Sequence, residues 1–216
     1  MKKCIKVAFI ILLLFALSIT YAASKFPILP FDLMSYHELR EEGTPAFSIL
    51  MQAVSYLGEA PIAAALMTLS VALFASRRQW TEAIFMLSTA SSAMMAFILK
   101  DIIHRVRPFP LAQNGTGLLE SINQYSYPSG HVLLFVTFFG FFAYLSWQHF
   151  SGKLRIIAIV SCFALIALIG PSRIFLGAHW ASDVVGSYVI GAIWLFILIR
   201  VYRRVRNSYR DKEREI

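Results

Sequence analysis

His179 and Asp183 stand four residues apart in "GPSRIFLGAHWASDVVG", Gly170 to Gly186. In a helix that is one turn, a spacing at which the carboxylate can accept a hydrogen bond from one ring nitrogen and leave the other bare and nucleophilic. The logic is that of a base steadied by a carboxylate. Upstream, "YSYPSGH", Tyr125 to His131, sets Pro128, Ser129, Gly130 and His131 at the threshold of a stretch, Val132 to Trp147, that carries no charge. Pro128 breaks the preceding loop, Ser129 can serve as an N-cap, and Gly130 lets a ligand approach the backbone. The helix then begins with free N–H groups and a positive dipole end, an arrangement that holds anions. His131 beside it can donate or accept a proton near neutral pH. The competing reading of these four residues is a capped helix with a histidine at the interface.

A third stretch, "LKDIIHRVRP", Leu99 to Pro108, is read as the end of a helix. Lys100, His104 and Arg107 then share one side, with about 10 Å of rise between Lys100 and Arg107. Arg105 points away, and Pro108 ends the helix. Two cations on one stripe can grip an anion, the lysine as a point charge and the arginine as a planar fork. Alternatively they snorkel to lipid headgroups. Arg173 adds another cation. A metal site built from His104, His131, His179 and Asp183 has donor types that suit zinc. Lys100, Arg107 and Arg173 would repel a divalent ion, so neither a metal nor another cofactor is expected.

These stretches must be positioned by something, and composition says what. The 216 residues are 58% hydrophobic and 15% charged, against about 45–50% apolar and about 25% charged in soluble proteins. This is a membrane protein. No linker, low-complexity tract or internal repeat divides residues 1–216, which read as a single domain. Half of the net charge of +8 sits in the tail, residues 200–216, which points to a membrane surface rather than nucleic acid. Cys4 and Cys162, at the extreme N-terminus and inside an apolar segment, do not suit a disulfide or a metal site. Asn114-Gly115-Thr116 matches a glycosylation triplet, a pattern common by chance.

Uncharged segments run over residues 7–24, 60–76, 83–99, 132–152, 156–172 and 184–199. With their flanks, each has about the length that crosses some 30 Å of hydrocarbon as a helix. The expected fold is all-α, a six-transmembrane helix bundle with an extracytoplasmic interfacial helix and loop. The first segment, with Lys2-Lys3 before it and Ala22-Ala23-Ser24 at its end, resembles a signal peptide of residues 1–24, but its long apolar run favours an uncleaved anchor. The positive-inside rule places Lys2, Lys3, Lys6, Arg77, Arg78, Lys153, Arg155 and the basic tail in the cytoplasm. Lys25, Arg40, Lys100, Arg105, Arg107 and Arg173 fall on the other face, against the usual bias. Phe47, Leu50, Met51, Val54 and Leu57 recur at helical spacing, as a helix in the outer interface or a lid over the bundle.

Together these residues resemble the signature of the type 2 phosphatidic acid phosphatase superfamily, which includes integral membrane lipid phosphatases, glucose-6-phosphatase and vanadium haloperoxidases. Its parts are Lys100 with Arg107-Pro108, then Pro128-Ser129-Gly130-His131, then Ser172-Arg173 with His179 and Asp183, all in order at family spacing. The resemblance implies that His179 attacks phosphorus and carries a covalent phosphohistidine, oriented by Asp183. His131 would protonate the leaving oxygen, and Lys100, Arg107, Ser129, Gly130 and Arg173 would hold the phosphoryl oxygens, with no metal. Tyr125 and Tyr127 would be pocket walls. The implied partner is a lipid phosphate in the inner cell membrane, at an extracytoplasmic site, with a cytoplasmic C-terminus. Undecaprenyl diphosphate is the first expected substrate; phosphatidylglycerol phosphate, phosphatidic acid and lipid A are alternatives, and a phosphotransferase would share the covalent step. A non-catalytic lipid-binding or transport protein should have lost His179 or Asp183, and both are present.

Overall fold

In lipid an uncharged run satisfies its backbone polar groups most simply by coiling into a helix. The structure, a computed structural model, describes residues 2–41, 43–108 and 124–214, and the Asn114-Gly115-Thr116 triplet lies outside them. The elements are α1 (Lys2–Lys25), α2 (Pro30–Glu41), α3 (Pro45–Tyr56), α4 (Ala60–Ser76), α5 (Trp80–Ser88), α6 (Ser91–Ile103), α7 (Gly130–His149), α8 (Gly152–Phe175) and α9 (Ala181–Arg214). Among the described residues five units are long and apolar enough to span a membrane, α5 and α6 together forming one of them. A sixth arises if α3 and α4, bent by 62° at a short break, count as one span. The chain is a multi-pass membrane protein of helices.

The helix starts follow local chemistry. Thr44 caps α3 by accepting the Phe47 N–H at 3.2 Å, with proline in the first turn. α4 also opens on a proline, Pro61, but Glu59 at its cap position makes no side-chain cap bond. α9 is 34 residues long, about 50 Å at 1.5 Å per residue. It outruns the hydrocarbon layer, so the basic tail continues the last span as a helix.

The uncharged face of α7 has a simple cause: protein surrounds it. Eleven of its residues are buried, whereas α1 leaves nearly all of its apolar side chains exposed to where lipid would lie. Toward one end of α7, Val132, Phe135 and Val136 pack with Val54 of α3, Ile169 and Ile174 of α8, and Ala181 and Val184 of α9. Toward the other, Phe138, Phe141 and Leu145 pack with Phe74, Ala83, Met86 and Tyr202. Small polar side chains stitch neighbours: Thr137 Oγ1 donates to Ser92 Oγ at 2.9 Å, and Trp194 Nε1 donates to Ser91 Oγ at 2.9 Å.

The α3 stripe packs one face on the bundle and leaves Ile49, Leu50 and Tyr56 exposed. Met51 and Val54 are buried, Phe47 meets Phe175 edge-on at 5.2 Å, and Met51 O accepts from Ser172 Oγ at 2.6 Å. Near the same end, the Tyr188 hydroxyl enters the backbone ladder of α8, accepting from Gly170 N–H at 3.1 Å and donating to Ile166 O at 2.5 Å. Both contacts hold the last turns of α8, and with them Arg173. α1 is tied in by Phe9 against Phe196, ring centroids 5.3 Å apart, and by a 2.6 Å hydrogen bond between Thr20 Oγ1 and Tyr127 OH.

Gly186 of α9 is where Tyr127 comes closest to the helix. A Cβ there would lie 2.6 Å from the Tyr127 hydroxyl. Gly186→Ala is therefore expected to cost about 1–3 kcal/mol through overpacking, measured as a lower midpoint of thermal unfolding in detergent.

Candidate active site

The first positioning decision is where α6 stops. The Leu99–Pro108 stretch does not run as a helix to Pro108: α6 ends at Ile103, and His104 caps it in the left-handed region at φ 52°. Beyond the cap the chain is extended, with Val106 bridged to Tyr125 and Ser126 N donating to Arg105 O at 2.7 Å. Extended backbone throws alternate side chains to the same side, which overturns two expectations. Arg105 does not point away. It turns inward along with Arg107, while Val106 and His104 are exposed. His104 lies edge-on to Tyr125, ring centroids 4.5 Å apart, and takes no part in a cluster with the other histidines.

Arg105 is the hub of a buried network. Its guanidinium pairs with Asp32 of α2 at 2.7 Å and with Asp183 of α9. It also donates to Ser182 Oγ at 2.7 Å and to Pro27 O at 3.1 Å. Asp32 accepts in addition from Ser182 N at 2.8 Å, Ser182 Oγ at 2.9 Å and Leu29 N at 3.0 Å. Both carboxylates are fully buried, and the shared cation with saturated acceptors is what makes that burial tolerable. Asp32, Arg105 and Ser182 are positioning residues that the motif spacing does not reveal. The only signal was a charge, Asp32, in an otherwise apolar "PFDLM".

His179 is buried and lies just before α9 begins at Ala181, not inside that helix. The four-residue spacing to Asp183 is therefore not one helical turn. Nδ1 of His179 lies 2.7 Å from Ser126 O and 3.8 Å from Asp183 Oδ2, and the second distance is too long for a hydrogen bond. The Ser126 carbonyl, not Asp183, holds the ring. A carbonyl can only accept, so Nδ1 carries the proton and Nε2 has a bare lone pair. Asp183 acts one step further out, accepting from Trp180 N at 2.9 Å to cap α9 and binding Arg105. Burial first, then Arg107, Arg173 and Lys100, hold His179 well below the ordinary imidazole pKa. The ring is neutral at physiological pH.

Those three cations converge on His179 from three segments. Lys100 is buried on α6, and Arg107 donates to Ala178 O at 2.8 Å. Burial lowers the Arg107 pKa to about 10, so it stays charged at neutral pH. Arg173 on α8 reaches Ser55 Oγ of α3. All three also act electrostatically on His131, as does His179.

Ser129 holds the N-cap position of α7 but does not cap it with its side chain. Its N–H donates instead to Ser187 Oγ at 2.7 Å, tying α7 to α9. A Cβ on Gly130 would meet only Ala96, at 3.8 Å, so packing does not demand glycine there. The first-turn N–H groups of α7 have no intrahelical acceptor. Nearby, Ser129 Oγ, His131 Nε2 and Arg173 Nε are buried without a hydrogen-bond partner among the described residues. Tyr127 is fully buried on Thr20, and burial raises its pKa to about 12. It is a packing residue rather than an open wall; Tyr125 is half-buried.

Buried polar atoms are rarely left unpaired. Ser129 Oγ, His131 Nε2 and the Nε of Arg173, itself one of the three cations, gather near a helix start, an arrangement that can receive a small, multiply charged oxyanion with the imidazole of His179 alongside. Known proteins are similar to this chain in sequence and in fold. Phosphatidylglycerophosphatase B of Bacillus subtilis is 25% identical over 173 residues, covering 78% of this chain and 81% of that protein. The undecaprenyl-diphosphatase of Sulfolobus acidocaldarius is 28% identical over 120 residues, 53% of this chain and 52% of that one. The crystal structure of a transmembrane PAP2-type phosphatidylglycerolphosphate phosphatase from Bacillus subtilis superposes with a TM-score of 0.76 at 23% identity, covering 91% of this chain and 96% of that one. The model of the PAP2 superfamily matches residues 81–207, more than half of the sequence and all three motif segments, and the chain belongs to that superfamily.

Proposed function

We propose that the protein is a membrane lipid phosphatase that hydrolyses a phosphomonoester or diphosphate through a phosphohistidine. The observation that carries this reading is the 2.7 Å contact of buried His179 Nδ1 with Ser126 O, which assigns the ring proton to Nδ1 and leaves Nε2 bare beside Lys100, Arg107 and Arg173. Nε2 attacks phosphorus, the bond to the leaving oxygen breaks with its electron pair, and His131 supplies the proton that oxygen needs. Water then attacks the phosphohistidine, giving its proton back to His131, and the P–N bond breaks with its electron pair returning to Nε2 as inorganic phosphate leaves. Ser129, Gly130 and the three cations hold the phosphoryl oxygens, so most of the catalysis is positioning and charge stabilisation. Asp183 keeps the start of α9, and through it His179, in place. Phosphatidylglycerol phosphate and undecaprenyl diphosphate, the substrates named for relatives, are the first to test, with phosphatidic acid and lipid A beside them.

The reaction needs no metal in this reading, since the cations already occupy the role of a Lewis acid. The site faces away from the cytoplasm, because Arg77, Arg155 and Arg206 gather at the opposite end of the bundle, around Phe150, Trp147 and Tyr202. The test is phosphate release by purified protein from a panel of these lipids, with and without EDTA. Release that survives chelation is expected; loss of all release on chelation overturns the metal-free mechanism.

The pH profile provides a second check. Protonating Nε2 removes the nucleophile, so activity falls as pH drops through the His179 pKa. That pKa lies well below the usual 6.5, so the acid limb of kcat/KM assigned to the enzyme should lie below pH 6.5. A limb at or above that value would contradict the neutral, desolvated ring.

A further inference from the structure

The corner between α3 and α4 brings one negative charge to a site otherwise walled by cations. Glu59 Oε1 lies 3.6 Å from His131 Nε2, and its side chain is 54% exposed. Its carboxylate is not used to cap α4, and at that distance it makes no hydrogen bond to the ring. Gly58 beside it fixes the approach: a Cβ there would fall 2.3 Å from His131 Cδ2, so the corner's bare backbone is seated on the imidazole. The charged groups around His131 are Lys100 from α6, Arg107 from the extended segment after it, Arg173 from α8 and Glu59 from this corner, with the neutral ring of His179 as a further titratable neighbour.

We propose that Glu59 makes the site select lipid phosphomonoesters over lipid diphosphates. The inference rests on the assignment of His131 as the acid for the leaving oxygen. In phosphoryl transfer the attacking and leaving atoms lie roughly in line, so the departing group emerges from the His179 side toward His131 and Glu59. With a monoester, the P–O bond breaks toward an alcohol oxygen that takes the His131 proton and leaves uncharged. With a diphosphate, the bridging oxygen leaves as part of a lipid phosphate, whose own anionic oxygens must sit against the Glu59 carboxylate. Like charges at a few ångströms repel, here moderated by the solvent that reaches the half-exposed Glu59. Lys100, Arg107 and Arg173 hold the phosphoryl group under attack, and Glu59, which also acts on Arg173, stands on the leaving side, where the second phosphate meets its carboxylate.

Glu59→Gln removes the charge with almost no change of shape, and its readout is a ratio that folding yield and purity do not move. With phosphatidic acid and undecaprenyl diphosphate as the pair, the monoester-to-diphosphate ratio of kcat/KM should fall about tenfold in the variant. An unchanged ratio, or one that rises, overturns the proposal. A parallel readout is the ratio of affinities for inorganic phosphate and pyrophosphate, by calorimetry on the full chain in detergent. The variant should gain about tenfold in relative affinity for pyrophosphate, and no gain overturns the selectivity. If the wild type binds both anions but hydrolyses neither lipid, the phosphatase assignment fails while the affinity ratio still decides the role of Glu59.

Discussion

Replacing His179 with alanine should lower phosphate release from every lipid substrate by about 10⁴-fold or more, since loss of a covalent nucleophile removes the reaction path rather than one contact along it. That is roughly 5–6 kcal/mol of barrier at about 1.4 kcal/mol per decade. Among the described residues the buried side chain bonds Ser126 O through Nδ1, so substrate binding should survive better than turnover. The comparison to make is kcat against KM for wild type and variant, with acid-quench trapping of labelled phosphoprotein. The wild type should yield an acid-labile, base-stable phosphoprotein, and the variant none. Turnover by the variant within tenfold of wild type would exclude His179 as the attacking group.

The second large effect is on stability, at Arg105. Arg105→Ala leaves Asp32 and Asp183 buried side by side, both side chains at 0% exposure, with no cation between them. Breaking a buried pair from one side typically costs about 3–5 kcal/mol. For a chain of this length that is a fall of roughly 6–20 °C in the unfolding midpoint. Activity should fall with it, because Asp183 anchors the first turn of α9 beside His179 through Trp180 N. Differential scanning fluorimetry in detergent, beside an exposed control such as Arg78→Ala, would read the difference. A shift no larger than the control's would mean that the two carboxylates find other partners, and that the network does not organise the site.

Arg105 also marks the limit of what local pattern conveys. "LKDIIHRVRP" has helical periodicity and a proline stop, and by those rules Arg105 and Arg107 point to different sides. The chain instead leaves the helix at His104 and becomes extended, which turns both arginines inward. The cause lies in residues 73 and 78 positions away, Asp32 and Asp183, whose burial needs a cation at that point. The His179–Asp183 spacing misleads similarly. Four residues suggest one turn, but Asp183 caps the start of α9 from within, and the ring nitrogen goes to Ser126 O, 53 positions away.

By itself the sequence determined which segments are apolar helices of membrane-crossing length, where α7 begins, and which histidines and cations make up the three motif segments. Those properties depend on side-chain transfer into lipid and on hydrogen bonds within a turn, and both are written over a few neighbouring residues. Only the tertiary structure decided which nitrogen of His179 is bare, which carboxylates Arg105 neutralises, and that Glu59 stands against His131. Each of these depends on buried electrostatics between groups far apart in the chain, whose energies exist only once packing has removed the water between them.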